Sequence, residues 1–230
     1  MSDLHVCCSV ANTDRFEENL AMSRCLQPNG GPVPLTIREG WTNVPAAYNS
    51  MMEQTQDYKY RAFIHEDVKL TKWWHEKLLA GIKEVESKNK WWDVIGVAGV
   101  LWVDQPGGFA KVYAGNYGDR GKPSLNEVEL PVQAETVDEM VIVVKNGRKF
   151  DELNPFHHLM GADLCWRSRR GVYIVDAWCD HNTRTSRHGC LPMEFAISAG
   201  YMWAKHYDRL PLVTNCATIQ EVNGVCSIVY

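Results

Sequence analysis

The chain has 230 residues, of which 45% are hydrophobic and 23% are charged. This length and composition are typical of one globular domain with a large core, and they exclude a disordered chain or a coiled coil. The formal net charge is −4, so the chain lacks the broad positive field that drives non-specific nucleic-acid binding. We therefore expect a single domain over residues 1–230.

No apolar run in the sequence approaches the roughly 18–20 residues that cross a bilayer. The segment 1–10 carries no basic stretch of the kind found in signal peptides. The eight cysteines have no spacing that indicates a disulfide framework, so we expect free thiols. Together these features predict a cytoplasmic protein without integral membrane association.

Short apolar runs alternate with helical patterns in the first half of the chain, which predicts βα units on a largely parallel sheet. The predicted strands there are residues 5–10, 33–37, 60–64 and 94–100. One helix begins at Asp14 with a capping box to Glu17, and a second runs from about 44 to 54. A third helix has a face formed by Trp74, Leu78 and Ile82. The strand 94–100 contains Gly96 and Gly99, so we expect it to be central and to pass close to a ligand.

The second half has a different pattern. Residues 104–131 are rich in glycine and proline, which predicts loops and short antiparallel strands. Beyond them we predict a strand over 139–144, a helix over 156–170 and a strand over 173–175. One face of a C-terminal helix is predicted from Met193, Ala196, Gly200, Trp203 and Tyr207. The predicted fold class is therefore α/β, with a mainly parallel sheet flanked by helices.

The segment His65-Glu66-Asp67 directly follows the third predicted strand. Polar residues at this point lie at the carboxyl edge of an open sheet, where such folds bind ligands. Residues two apart in an extended segment point to the same side, so His65 and Asp67 form a candidate site for Mg²⁺ or Mn²⁺. The alternative is a solvated turn in which Asp67 caps the next helix.

Two cysteines and two histidines lie within the segment 179–190. The paired cysteine spacing of structural zinc sites is missing, but a zinc site remains one interpretation. A second interpretation is a mobile loop in which His181 completes the metal site and Arg184 and Arg187 contact an anionic ligand. The third is a polar loop with two buried thiols.

Two further features have both a structural and a functional interpretation. Asp163 and Arg167 are four residues apart on a predicted helix, which indicates an ion pair, but Asp163 is also a candidate acid or base. The neighbouring His157 and His158 are partners for it or a helix entry. Exposed aromatic faces could stack on a base or a sugar, and core packing is the alternative for these residues; the candidates are Trp41, Trp102 and Tyr113.

Six short blocks follow one another along the chain. They are 46–49 (AAYN), 63–68 (FIHEDV), 137–138 (VD), 150–152 (FDE), 163–167 (DLCWR) and 179–181 (CDH). Taken in order, they resemble motifs of the nucleotide-sugar-dependent glycosyltransferases of the GT-A fold, specifically the compact family-2-like group. The block 63–68 resembles a version of the metal-binding Asp-x-Asp motif of that family. The resemblance is strongest over residues 34–70 and 137–182.

The resemblance implies a GT-A, Rossmann-like mixed sheet. A nucleotide-binding half would cover about residues 1–100, and an acceptor-side half with a small antiparallel portion would cover about residues 101–230. It also implies transfer of a sugar from a nucleotide diphosphate sugar, most often a UDP sugar. Asp67 would bind Mn²⁺ or Mg²⁺, with His181 as a second ligand and His65 nearby. The implied donor-binding residues are Ser9, Asn12, Arg38, Tyr48, Asn49, His65, Arg184 and Arg187.

The chain departs from the family pattern at the general base. Inverting members usually carry an acidic residue at the position of Gly161. Asp163, Glu139 or His158 could substitute for it, since a base need only reach the acceptor hydroxyl. Alternatively, the chain uses a retaining mechanism, which does not need that base, or it has lost transfer activity.

Three functions therefore remain open. They are a glycosyltransferase, an inactive nucleotide-sugar-binding module and a zinc-stabilised structural protein. The acceptor of a transferase would be a carbohydrate or another hydroxyl compound. The net charge argues mildly against a nucleic-acid acceptor.

Overall fold

A seven-stranded sheet lies at the centre of the computed structural model, which describes residues 3–88, 91–105, 108–119, 121–124, 128–145, 147–182 and 191–229. The helices are α1 (Thr13–Glu18), α2 (Val44–Gln54), α3 (Trp74–Lys88), α4 (Met160–Trp166) and α5 (Met193–Lys205). The strands are β1 (Leu4–Val10), β2 (Leu35–Glu39), β3 (Tyr60–Ile64), β4 (Val68–Leu70), β5 (Trp92–Gly96), β6 (Ala98–Gln105), β7 (Gly108–Gly115), β8 (Tyr117–Asp119), β9 (Lys122–Ser124), β10 (Val132–Gln133), β11 (Thr136–Val137), β12 (Val141–Lys145), β13 (Gly171–Ile174), β14 (Cys179–His181), β15 (Leu212–Val213), β16 (Thr218–Val222) and β17 (Val225–Val229).

The order of strands in the central sheet is β10-β13-β5-β12-β3-β1-β2. Strand β1 is parallel to β2 and β3, and β13 is parallel to β5. Strand β12 runs antiparallel between β3 and β5, and β10 is antiparallel to β13. All strands except β10 and β12 therefore point the same way, and the predicted mixed, mainly parallel sheet is confirmed.

Apolar side chains on both faces hold this sheet between two layers. Along β1, Val6 points into a core shared with α3, whereas the next residue, Cys7, points into a core shared with α2 and α4. This alternation follows from the two-residue period of a strand. Every residue of β3 and β5 is buried, as expected for strands covered on both faces.

The elements of the first half largely match the sequence prediction. Helix α2 and strand β3 have the predicted bounds, whereas β2 lies two residues later than expected. The prediction that Asp14 caps α1 is wrong, because the side chain of Asn12 accepts a hydrogen bond from the backbone N–H of Arg15. The helix therefore begins at Thr13.

The predicted single strand over 94–100 is two strands. Strand β5 ends at Gly96, and β6 leaves the central sheet to pair with β7 and β11. A Cβ atom on Gly96 would lie 2.6 Å from the Val137 side chain, and one on Gly99 would lie 2.1 Å from the carbonyl oxygen of Thr136. These glycines therefore permit the close approach of β11, and this packing accounts for them without a ligand.

Three smaller sheets surround the central one. They have the orders β11-β6-β7, β4-β14-β8-β9 and β15-β16-β17. The first two contain the short antiparallel strands predicted within 104–131. The third, a C-terminal meander, was not predicted.

Two helices differ from their predictions. The helix expected over 156–170 is only Met160–Trp166, and it follows Leu159 in a left-handed backbone conformation. The buried face of α5 consists of Phe195, Ser198, Ala199 and Met202, whose spacing is that of one helix face. The predicted face is wrong, since its first member, Met193, is 73% exposed.

The described cysteines are all free thiols, as predicted. Most of them lie in the apolar core, where burial raises the pKa of Cys7 to about 12 and that of Cys25 to about 11. Among the described residues, no helix is both long and apolar enough to cross a bilayer.

Candidate active site

His65, Asp67 and His181 come together at the carboxyl end of β3. His65 and Asp67 follow this strand directly, and the antiparallel pairing of β14 with β4 places His181 opposite Val68. One ligand atom from each of the three side chains lies within 4.8 Å of the others. The structure therefore brings together the three side chains for which we predicted a metal-binding role.

The donor atoms of this cluster suit a divalent cation. Nε2 of His65 and Oδ1 of Asp67 are buried and have no hydrogen-bond partner within the described part of the chain. Oδ1 of Asp67 lies 3.4 Å from Nε2 of His181, in ion-pair contact without hydrogen-bond geometry. Unsatisfied buried polar atoms are costly, and two imidazole nitrogens with one carboxylate oxygen form a donor set that favours Mn²⁺ over Mg²⁺.

The protonation states of the cluster follow from its surroundings. Burial lowers the pKa of His65 to about 3, so its imidazole is neutral near pH 7. Burial would raise the pKa of Asp67, but the adjacent His181 outweighs burial and lowers this pKa to about 2. The cluster therefore offers an ionised carboxylate and a neutral imidazole.

Glu66 connects this cluster to the end of β1. Its Oε2 accepts hydrogen bonds from the backbone N–H of Ala11 at 2.6 Å and of Asn12 at 2.9 Å. The carboxylate thereby fixes the loop after β1 to the segment that carries His65 and Asp67. The sequence analysis did not assign this bridging role to Glu66. The only indication of it in the sequence was the position of Glu66 between the two candidate ligands.

The predicted nucleotide-binding residues Ser9, Asn12 and Arg38 lie at the same edge of the sheet. Ser9 is opposite Arg38 in the parallel register of β1 and β2, and Asn12 caps α1 just beyond β1. The Arg38 guanidinium donates hydrogen bonds to the Gln54 side chain and to the carbonyl of Ile37. Ser9, Asn12 and Arg38 form one rim beside the cluster of His65, Asp67 and His181.

Tyr48 and Asn49 lie elsewhere than the resemblance implies. The Tyr48 ring is 1% exposed and packs against Phe63 and Phe150. The Asn49 amide donates to the carbonyl of Phe150 and to Glu152, and it accepts from the Phe150 N–H. Both side chains therefore hold the 150–152 segment in place through structural contacts.

Asp163 lies at the centre of a buried ion-pair network. Its carboxylate accepts from Arg167 at 2.7 Å, from Lys205 at 2.6 Å and from His206 at 2.8 Å. Burial would raise the pKa of Asp163, but these partners outweigh burial and lower it. The predicted ion pair with Arg167 is confirmed. A carboxylate this fully engaged is poorly suited to accept a further proton, so the surroundings do not favour Asp163 as a base.

Replacing Asp163 with asparagine is expected to destabilise the fold by about 3 kcal/mol, because cations would remain buried without their counter-charge. Urea unfolding followed by circular dichroism measures this change. Asp208→Asn at an exposed position is the matched control, for which we expect a change below about 0.5 kcal/mol. Equal midpoints for the two variants would contradict a structural role for the network.

Glu139 occupies the space next to Gly161. Its Oε1 accepts a hydrogen bond from the Gly161 N–H at 3.1 Å, and a Cβ atom added to Gly161 would lie 3.2 Å from that oxygen. Burial, followed by the negative charge of Asp138, raises the pKa of Glu139 to about 8. A carboxyl group therefore lies beside residue 161, the position at which the resemblance places the usual base.

Glu139 is also close to the cluster of His65, Asp67 and His181. It precedes β12, whose first residue, Val141, pairs with Ile64 at the end of β3. The carbonyl of the intervening Met140 accepts a hydrogen bond from the His65 N–H at 3.2 Å. The residue that follows Glu139 therefore contacts the segment that carries His65 and Asp67 directly.

His157 and His158 lie beside the cluster on its α4 side. The His157 ring centroid is 5.9 Å from that of His65, and the His158 ring contacts His157 and Phe195. Burial, followed by the neighbouring His157, lowers the pKa of His158 to about 3. An imidazole with this pKa is a weak base near neutral pH, so His158 is a poorer candidate than Glu139.

The zinc interpretation finds no support in the described part of the segment 179–190. Cys179 is fully buried in the apolar core, and burial raises the pKa of its thiol. His181 faces Asp67 instead. The remaining candidates, Arg184, Arg187, His188 and Cys190, lie outside the described residues.

Among the solved structures of similar fold are two glycosyltransferases. GalNAc-T7, crystallised with UDP, GalNAc and Mn²⁺, is 9% identical, with a TM-score of 0.53 over 89% of this chain and 50% of that one. S. aureus TarS 1–349 is 11% identical, with a TM-score of 0.51 over 89% and 65% of the two chains. The same fragment in complex with UDP-GlcNAc is 12% identical, with a TM-score of 0.51 over 89% and 66%.

The chain therefore has a GT-A-like glycosyltransferase fold. It spans half to two thirds of the length of these neighbours. Comparison of the sequence itself finds no matching family model and no matching curated protein. At this low identity the likeness establishes the fold, while the chemistry depends on the site residues.

Proposed function

We propose that this protein is a divalent-metal-dependent glycosyltransferase that transfers a sugar from a UDP sugar to a carbohydrate or another hydroxyl acceptor. The observation that carries the proposal is the convergence of His65, Asp67 and His181 at the carboxyl edge of a GT-A-like sheet. The solved neighbours that contain UDP or UDP-GlcNAc support UDP as the nucleotide.

Each part of the site has a proposed task. His65, Asp67 and His181 would hold Mn²⁺, or Mg²⁺ as second choice. A bound divalent ion would neutralise the charge that develops on the departing diphosphate. Ser9, Asn12 and Arg38 form the rim that would contact the nucleotide, and Arg184 and Arg187 remain the proposed contacts for the phosphates.

Glu139 is the proposed general base. It would accept the proton of the acceptor hydroxyl while that oxygen bonds to the anomeric carbon and the bond to the nucleotide breaks. Its pKa of about 8 suits this task, because a base works best when its pKa is near the working pH. Direct displacement of this kind inverts the configuration at the anomeric carbon.

Calorimetric titration with UDP, GDP and dTDP, each with and without Mn²⁺, tests the donor site. We expect UDP to bind most tightly, and to bind at least about tenfold more tightly with Mn²⁺ than without it. The Asp208→Asn protein is the control. If none of the three nucleotides binds at protein concentrations that reveal millimolar affinity, the proposal fails.

The second candidate is a module that binds a nucleotide sugar without transferring it. The absence of an acidic side chain at Gly161 is the observation in its favour. The Glu139 carboxyl beside Gly161 argues against it. UDP binding together with no turnover across a broad acceptor panel would favour this second candidate.

We also propose a cytoplasmic location. The free thiols of the described cysteines suit a reducing compartment. The proposed arrangement of a nucleotide-binding half over about residues 1–100 and an acceptor-side half over about 101–230 follows from the same resemblance.

A further inference from the structure

Helix α1 is joined at both ends by hydrogen bonds to the site that contains Asp67. Before the helix, the N–H groups of residues 11–12 donate to the Glu66 carboxylate. After the helix, the Asn182 side chain donates to the Asn19 side chain at 2.7 Å. The N–H of Asn182 in turn donates to the carbonyl of Asp67 at 2.9 Å. These bonds fix the position of α1 beside the candidate metal ligands.

Arg15 lies in the middle of this contact. Its N–H donates to the Asn12 side chain at 2.9 Å, and its carbonyl accepts a hydrogen bond from the Asn19 side chain at 2.8 Å. Residues three or four positions apart share one face of a helix. Because Asn12 and Asn19 lie at the contacts with Glu66 and Asn182, the face of α1 that carries Arg15 is turned toward the site.

The Arg15 side chain is partly buried on this face. Side chains on a helix tilt toward its N-terminus, which directs this one toward the contact between residues 11–12 and Glu66. The Nε atom of Arg15 is buried and has no hydrogen-bond partner within the described part of the chain. A buried donor without a partner lowers stability, so the arrangement favours a ligand that accepts from this guanidinium.

Arg15 is close to Asp67 but is not paired with it. The Asp67 carboxylate is in ion-pair contact with His181, and none of the described carboxylates is in such contact with Arg15. Burial has the largest effect on the pKa of Asp67 and raises it, whereas His181 and, to a smaller extent, the charge of Arg15 lower it. A guanidinium without a counter-charge therefore lies beside the three candidate metal ligands.

A diphosphate is the anion that suits this position. It carries more than one negative charge, so it can bind a divalent cation and a guanidinium at the same time. The planar fork of a guanidinium matches pairs of phosphate oxygens. A neutral sugar would leave the charge of Arg15 without compensation.

We propose that Arg15 binds the diphosphate of the nucleotide-sugar donor and neutralises part of the charge that develops there during transfer. This inference rests on the proposed glycosyltransferase function and adds a donor-binding residue to Arg184 and Arg187. The sequence did not indicate Arg15, because Glu66 and Asn182, which fix its helix to the site, are far from it along the chain.

Calorimetry on the full chain tests this role through two affinities, that for Mn²⁺ alone and that for UDP at saturating Mn²⁺. Arg15→Gln is expected to weaken UDP binding about tenfold, through loss of hydrogen bonds to a charged group. Its affinity for Mn²⁺ alone is expected to stay the same or to increase, because a positive charge that repels the cation has been removed. A role in shaping the cluster would weaken both affinities.

Two further variants serve as controls. Arg24 is exposed and lies outside α1, so Arg24→Gln makes the same chemical change and should alter either affinity by less than about twofold. Arg15→Lys keeps the charge but lacks the planar fork, and we expect its affinity for UDP to lie between those of the wild type and Arg15→Gln. Urea unfolding verifies that each variant is folded.

The two proposals fail in different ways. If the wild-type chain binds UDP and Arg15→Gln binds it as tightly as Arg24→Gln does, the assignment of Arg15 is wrong and the donor site stands. If Arg15→Gln weakens the binding of both UDP and Mn²⁺ alone, Arg15 maintains the cluster, and the assignment is again wrong. If the wild-type chain does not bind UDP, the glycosyltransferase proposal itself is overturned.

Discussion

Replacement of Asp67 by asparagine is expected to lower the rate of Mn²⁺-dependent release of UDP from UDP-GlcNAc by at least about 100-fold. The variant keeps the volume of the side chain but removes the only carboxylate of the His65, Asp67 and His181 cluster. A cation that neutralises the leaving group contributes several kcal/mol, and about 1.4 kcal/mol corresponds to a factor of ten. The measurement is UDP release with water or with a sugar acceptor, over a series of Mn²⁺ concentrations.

The Asp67→Asn experiment has a control variant and a second readout that does not depend on turnover. Asp208→Asn should retain both the rate and its dependence on Mn²⁺. Loss of the Asp67 charge should also weaken Mn²⁺ binding in the absence of nucleotide, which calorimetry measures without turnover. An Asp67→Asn protein with an unchanged Mn²⁺ dependence would remove this residue from the metal site.

Glu139→Gln is expected to lower transfer about 100-fold to 10,000-fold, the usual contribution of a positioned general base. Burial and Asp138 raise the pKa of this carboxyl to about 8. Wild-type kcat/KM should therefore rise as pH increases through this value and level off above it. UDP binding should change less than about twofold, because the base contacts the acceptor side. A variant with the same pH profile as the wild type would exclude Glu139 as the base.

The same variant should alter the pH dependence of stability. The pKa of Glu139 is raised from 4.5 to about 8 in the folded chain, so between these values the folded state binds more protons than the unfolded state. The free energy of unfolding of the wild type therefore falls as pH rises through this window. Glutamine stays neutral, so Glu139→Gln should be more stable than the wild type at pH 8, and the two should be similar below pH 4.5.

The other titratable neighbours do not reverse this expectation. They are Tyr48, Cys165 and Cys216, and burial raises the pKa of each. They remain neutral near pH 8, which leaves Asp138 as the charged group next to Glu139. Urea unfolding at pH 4 and pH 8 measures the difference. A stability gap that does not depend on pH would contradict the raised pKa.

Local sequence was sufficient for part of the site. An apolar run followed by His65 and Asp67 defines a strand end with two candidate ligands, and the β3 prediction is confirmed residue by residue. His181 is more than a hundred residues away in sequence. The residues alone left its role in the metal site as one of three interpretations of the segment 179–190. The resemblance was needed to choose among them, because the pairing of two three-residue strands, β4 and β14, leaves no periodic signal.

Long-range contacts account for what the sequence did not reveal. Two partners of Asp163, at the C-terminal end of α5 and just beyond it, are 42 and 43 residues away, and no spacing rule connects them. Helix α5 carries apolar residues on more than one side, so the sequence did not distinguish the face with Phe195 from the face with Met193. The role of Asn49 in holding Phe150 was hidden for the same reason.

Gly161 and Glu139 share a single small volume between a helix and a turn. A carboxylate can enter that volume from the helix or from the β11–β12 turn. The Glu139 carboxyl already lies there, and a side chain on residue 161 would press against it. Motif searches that ask for an acid on the helix would classify this chain as a pseudoenzyme. Such a search overlooks a carboxyl group that a different element brings to the same place, as the β11–β12 turn does with Glu139 beside Gly161.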